Sequence, residues 1–157
     1  MKKLKVDVED IAMIMENQDR LGSYYLDTET GEVVAIPEEL MSALEEGESC
    51  ESLTDWEIKL LPQAKEIHAG SDRYEEIPIR PSYEGYNVMV EFTEAVTDRK
   101  IQRELNIALD GKGAFRRFKR VLRDYPEMEK EWFKFKATRD REYVKDWLES
   151  IGIELEE

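Results

Sequence analysis

The chain has 157 residues, enough for one domain with a real core, since a chain of this size buries roughly two-thirds of its unfolded surface. Three Trp, seven Tyr and five Phe exclude a disordered chain, although 38% of the residues are charged. A formal charge of −14 disfavours unselective binding to nucleic acid at long range, and a single cysteine, Cys50, excludes an intrachain disulfide and a cysteine-based zinc cluster.

Met1-Lys2-Lys3-Leu4-Lys5 is basic, but Val6-Asp7-Val8-Glu9-Asp10 follows it, which is not the apolar run of a signal peptide. No stretch approaches the roughly 20 apolar residues of a membrane span, so a cytoplasmic protein with no membrane partner is expected. Asp7 is placed to cap a helix from Val8 to about Asn17, with Glu9 and Asp10 in its first turn. Ser23 to Ile36 reads as a β-hairpin. Tyr24-Tyr25-Leu26 and Val33-Val34-Ala35-Ile36 supply aromatic and β-branched residues, and Asp27-Thr28-Glu29-Thr30-Gly31 supplies the turn. A lone hairpin is marginal in water, so helices or a third strand must cover it.

Pro37 suits the first turn of a helix running to about Glu46, and Gly47 to Ser52 is a polar loop. Thr54-Asp55-Trp56-Glu57 has capping-box spacing, and the helix it opens is expected to break or kink at Pro62. Tyr74 to Pro81 reads as extended, at a sheet edge. Ser82 is expected to cap a helix from Tyr83 to about Val96, with Tyr86, Met89, Val90, Thr93 and Val96 as its stripe. Asp98 caps the next, to about Leu109. Pro126 opens a further helix carrying Trp132, Phe133 and Phe135, and Thr138 opens a separate last one that Gly152 stops. The fold class is therefore α+β: a mostly helical single domain, residues 1–157, with a small antiparallel sheet built on the N-terminal hairpin.

The charge is unevenly placed. Residues 1–98 hold 8 Lys/Arg against 24 Asp/Glu, whereas residues 99–136 hold 12 against 6. Within that basic island, residues 114–123 form the clearest amphipathic pattern in the chain. On a helix, Ala114, Phe115, Phe118, Val121 and Leu122 gather in one arc and Arg116, Arg117, Lys119, Arg120 and Arg123 in the opposite one. Gly111-Lys112-Gly113 precedes it. Its backbone N–H groups would add to an anion site at the helix start, but the spacing is neither a Walker A motif nor a dinucleotide fingerprint.

Tyr25-Leu26-Asp27-Thr28-Glu29-Thr30-Gly31-Glu32-Val33, Gly113-Ala114-Phe115-Arg116-Arg117-Phe118-Lys119, Trp132-Phe133-Lys134-Phe135 and the closing helix with Trp147-Leu148 are similar to a bacterial uncharacterised protein family. The resemblance covers nearly the whole chain. It implies a small single-domain bacterial protein and brings no activity, substrate or catalytic residue.

Two functions remain open. One is a non-enzymatic intracellular binding or regulatory module in which Lys112, Arg116, Arg117, Lys119, Arg120 and Arg123 meet an acidic partner, nucleic acid or acidic protein, with Tyr125, Phe133 and Phe135 offering stacking. The other is an enzyme acting on a phosphorylated substrate, with a carboxylate and arginine site in a concave pocket at the Gly111 loop. The structural alternative to both is a core helix with a solvated charged face. His68 reads as a helix-end cation rather than a catalytic group, and Cys50 in its acidic loop as a poor nucleophile. No catalytic residue, metal ligand set or cofactor is assigned. Trp132, Phe133 and Phe135 cannot share one narrow helical line, so at least one ring is expected at a rim.

Overall fold

The computed structural model describes residues 1–47 and 53–156. The predicted loop after Gly47, with Cys50, lies outside the described residues. The chain divides into two compact units, Met1–Ile79 with Val144–Glu157, and Arg80–Tyr143.

The first unit is built on the hairpin. Strand β2 (Gly22–Asp27) pairs antiparallel with β3 (Val33–Pro37), and β3 alternates buried Val34 and Ile36 with exposed Ala35, the period-2 pattern of a half-buried strand. The third strand that the hairpin requires is β4 (Tyr74–Glu76), antiparallel on the other edge of β2, giving the order β3-β2-β4. Asp27 holds the turn and the third strand together. Its carboxylate accepts from the backbone N–H of Glu29 (3.0 Å) and, bidentately, from Arg73 Nε (2.9 Å) and Nη2 (2.8 Å). That pairing pulls the buried Asp27 carboxyl down from 3.8 to about 2.

Helix α1 (Val8–Glu16) begins as expected, with Asp7 accepting from Asp10 N, and buries Ile11, Ala12, Ile14 and Met15. Arg20 donates to Ile14 O (2.8 Å), Ile77 O (2.6 Å) and Pro78 O (2.9 Å), tying the end of α1 to the segment after β4. Helix α2 (Glu38–Glu46) has Pro37 as its N-cap rather than in its first turn. Helix α3 (Asp55–His68) opens on the Thr54–Glu57 capping box and continues through Pro62, so the expected break does not occur there. Ala64 is fully buried there and Leu60, Leu61 and Ile67 pack on the core, so burial holds the turn whose N–H proline lacks. A two-stranded parallel pair, β1 (Lys2–Leu4) with β5 (Ile153–Leu155), adds to the predicted antiparallel sheet.

The second unit is helical. Helix α4 (Ser82–Ala95) starts at Ser82 itself, with Pro81 as the N-cap, so Ser82 does not cap it. Helix α5 (Arg99–Ala108) is capped by Asp98, which accepts from Lys100 N and Ile101 N. Helix α6 (Ala114–Arg123) has the predicted bounds. Helix α7 (Pro126–Ser150) is one continuous helix; its residues from Val144 belong to the first unit. The expected cap at Thr138 is instead mid-helix, its hydroxyl donating to Lys134 O (3.1 Å), and no Gly or Pro interrupts the run. The unit's core is Val88, Met89, Phe92, Val96, Leu105, Leu109, Phe118, Leu122 and Trp132. Phe118 meets Trp132 edge-on at 4.9 Å between centroids, and Phe92 meets Trp132 at 5.3 Å. The fold is thus α+β and mostly helical, and no helix among the described residues is long and apolar enough to cross a membrane.

Phe118→Ala is expected to destabilise the protein by about 3–5 kcal/mol in urea unfolding, because it empties a fully buried aromatic site. Asp27, with its folded pKa depressed, contributes stability that is full above about pH 4 and lost as pH falls toward about 2. The unfolding free-energy gap between wild type and Asp27→Asn should therefore narrow from pH 5 to pH 2.5, by about 1 kcal/mol after discounting for the part-exposed Arg73.

Candidate anion-binding face

Helix α6 is oriented by its apolar stripe. Ala114, Phe118 and Leu122, four residues apart, are buried and Val121 is half-buried, which turns Arg116, Lys119, Arg120 and Arg123 to solvent. Lys112, on the loop before the helix, is exposed as well. None of these five side chains makes a hydrogen bond or ion pair among the described residues.

Arg117 departs from the predicted set. Its guanidinium turns back to the α5–α6 corner, donating from Nε to Ala108 O (3.1 Å) and also to the carbonyls of Lys112, Asp110 and Gly111. It lies on the flank of the helix that meets the free carbonyls at the end of α5, where a cation is favoured. Gly113, at φ 79°, lies directly against Arg117 Nη1. The corner is thus a guanidinium-filled turn, and five of the six predicted residues remain as a free face.

The chain's eleven arginines divide sharply. Arg20 and Arg117 hold backbone carbonyls, Arg73 pairs with Asp27, Arg80 with Asp140 (2.8 Å), Arg139 with Glu91, and Arg141 is also engaged. The five that make no such interaction among the described residues, Arg99, Arg103, Arg116, Arg120 and Arg123, all lie on α5 and α6. Two nearby acids have partners of their own. Asp98 caps α5, and Glu104 accepts from Tyr125 Oη at 2.6 Å. That bond raises the Tyr125 phenol from its ordinary value to about 12.

Arg99 and Arg103 were not singled out in the sequence, although their i, i+4 spacing on a helix was visible. They line an open groove of about 820 Å³ with Tyr86, Gln102, Asn106 and Ile107, in which Asp110 is the one carboxylate among the described lining residues. The groove therefore reaches the residue before the Gly111 loop but presents a single acid.

The aromatic residues take three roles. Trp132 is core, and Phe135 packs on Phe92 at 5.5 Å. Tyr125 is tied to Glu104, whereas Phe133 is exposed, the rim ring that the helical period required. Phe115, expected in the apolar arc, is 43% exposed beside the cations. His68 is exposed at the end of α3.

A model of an uncharacterised protein family, UPF0158, matches residues 4–156. UPF0158 protein PA5073 of Pseudomonas aeruginosa is 24% identical over 158 residues, which cover 98% of this chain and 88% of that protein. No solved structure matches the chain.

Arg117→Ala is expected to lower unfolding stability by about 1–2 kcal/mol, because the carbonyls at the corner lose a charged donor. Arg116→Ala should stay within about 0.5 kcal/mol of wild type in the same denaturant series, as a surface substitution without partners.

Proposed function

The chain belongs to the uncharacterised protein family UPF0158, and from that premise we propose that it is a non-enzymatic binding or regulatory module that holds an acidic partner against α6. One observation carries this reading: every arginine without an intramolecular partner among the described residues stands on α5 or α6. Arginine presents a planar fork that matches carboxylate or phosphate, and a row of such forks without partners is a surface ready for an anion.

The charge balance supports the same reading. The second unit holds 15 Lys/Arg against 12 Asp/Glu, and the first holds 8 against 25. The free arginines are thus gathered in the one unit that is not strongly acidic. A cytoplasmic setting belongs to this proposal and rests on the single cysteine.

Heparin serves as a generic polyanion. Wild type is expected to be retained on immobilised heparin at low salt despite its net charge, and Arg116→Glu/Arg120→Glu/Arg123→Glu to flow through with an unchanged circular dichroism spectrum. A control with the same charge change on exposed lysines of the first unit, Lys59→Glu/Lys65→Glu/Lys145→Glu, should still be retained. Equal elution of wild type and the α6 variant, or equal loss in the control, would sink the proposal.

A further inference from the structure

Building on the anion-binding reading, we infer that the partner of α6 is a single-stranded nucleic acid, with phosphates on the free cations and a base stacked on Phe115. Two observations beyond charge point there. The first is the position of Phe115. At 100° per residue it stands about 60° from Phe118 and about 40° from Lys119 around the helix, so the ring borders the cationic face. It is 43% exposed on a helix whose other large apolar residues are buried or half-buried.

The second is the support beneath that ring. Gly85 of α4 lies against Phe115, and a Cβ at position 85 would come to 3.4 Å from Phe115 Cε1. The ring is therefore held from one side by backbone while much of it stays open to solvent. A braced, exposed ring at the border of a cationic face is what a base needs for stacking.

The cations fit a strand. Arg116, Arg120 and Arg123 recur once per turn, and the row rises about 10 Å along the helix at 1.5 Å per residue, the length of a few nucleotides. An acidic peptide would satisfy the charges but leave Phe115 without a flat partner. A duplex keeps its bases stacked on one another and cannot lend one. The 25 acids of the first unit also oppose an unselective polyanion at long range, so binding must draw on short-range contact as well as charge.

The test uses the full chain and an unstructured RNA of about 12 nucleotides, the same strand annealed to its complement, and polyglutamate, each across a salt series. The single strand should bind at least tenfold more tightly than the duplex or polyglutamate. Phe115→Leu, which keeps apolar contact with Gly85, should weaken binding about tenfold with the salt slope unchanged, and Phe115→Tyr should restore it. Arg116→Glu/Arg120→Glu/Arg123→Glu should flatten the log–log salt slope by about 2, at about 0.7 per phosphate for single strands. Equal or tighter binding of duplex or polyglutamate by wild type overturns the inference, and so does a Phe115→Leu protein that binds like wild type. Heparin retention separates the two ideas: if it persists while single-strand selectivity fails, only the single-strand assignment falls, and if it is absent the anion-binding face falls with it.

Discussion

The edge-to-face contact of Phe118 with Trp132 decides what the second unit shows to solvent. Phe118 is fully buried between Phe92, at 6.4 Å, and Trp132, at 4.9 Å. Burying a side chain of this size contributes about 1.5–3 kcal/mol, whereas like charges one turn apart on a helix oppose it by only a few tenths. Burial therefore wins, and it fixes the rotation of α6. With Ala114, Phe118 and Leu122 inward, the 3.6-residue period leaves Arg116, Lys119, Arg120 and Arg123 no place but outside. The cationic face is a consequence of core packing, and the mutual repulsion within it is the part that an anion would relieve.

Arg117 shows how one turn of helix can give the same residue type two fates. Its neighbour Arg116 points to water, while Arg117 lies on the flank toward the end of α5 and is held by the carbonyls of Ala108, Asp110, Gly111 and Lys112. The loop that carries them turns through two glycines at positive φ, Gly111 and Gly113. The glycine pair thus serves the turn, and the carbonyls face a cation of the chain itself. This accounts for Gly111-Lys112-Gly113 without a bound phosphate and leaves α6's outer face as the place where an external anion has least competition.

Local patterns were legible in the sequence, and contacts across the chain were not. The bounds of α6, the Asp98 cap of α5, the Asp7 cap of α1 and the hairpin each depend on residues a few positions apart, and each stands where its pattern indicates. The β1–β5 pair joins three-residue strands from opposite ends of the chain, too short for any period to declare. The union of two predicted helices into α7 turned on Thr138, a residue type that caps helices yet here bonds back to Lys134. In the candidate face, four of the six cations, Arg116, Lys119, Arg120 and Arg123, were legible from the helical period, and Lys112 from the loop before it. The sixth, Arg117, and the exposure of Phe115 depended on what α5 and α4 place beside the helix.

A chain with 37 acidic residues has no shortage of counterions, so the persistence of free arginines needs a cause. Elsewhere the carboxylates do quench them: Asp27 takes Arg73, Asp140 takes Arg80, and Glu91 takes Arg139. Around α5 and α6 two of the acids are diverted. Asp98 is occupied by the two N–H groups that start α5, and Glu104 by the Tyr125 hydroxyl. Each of these bonds has an ordinary structural reason taken singly. Together they withhold Asp98 and Glu104 from Arg99, Arg103, Arg116, Arg120 and Arg123, which make no ion pair among the described residues, and so help leave the positive charge of this unit available to another molecule.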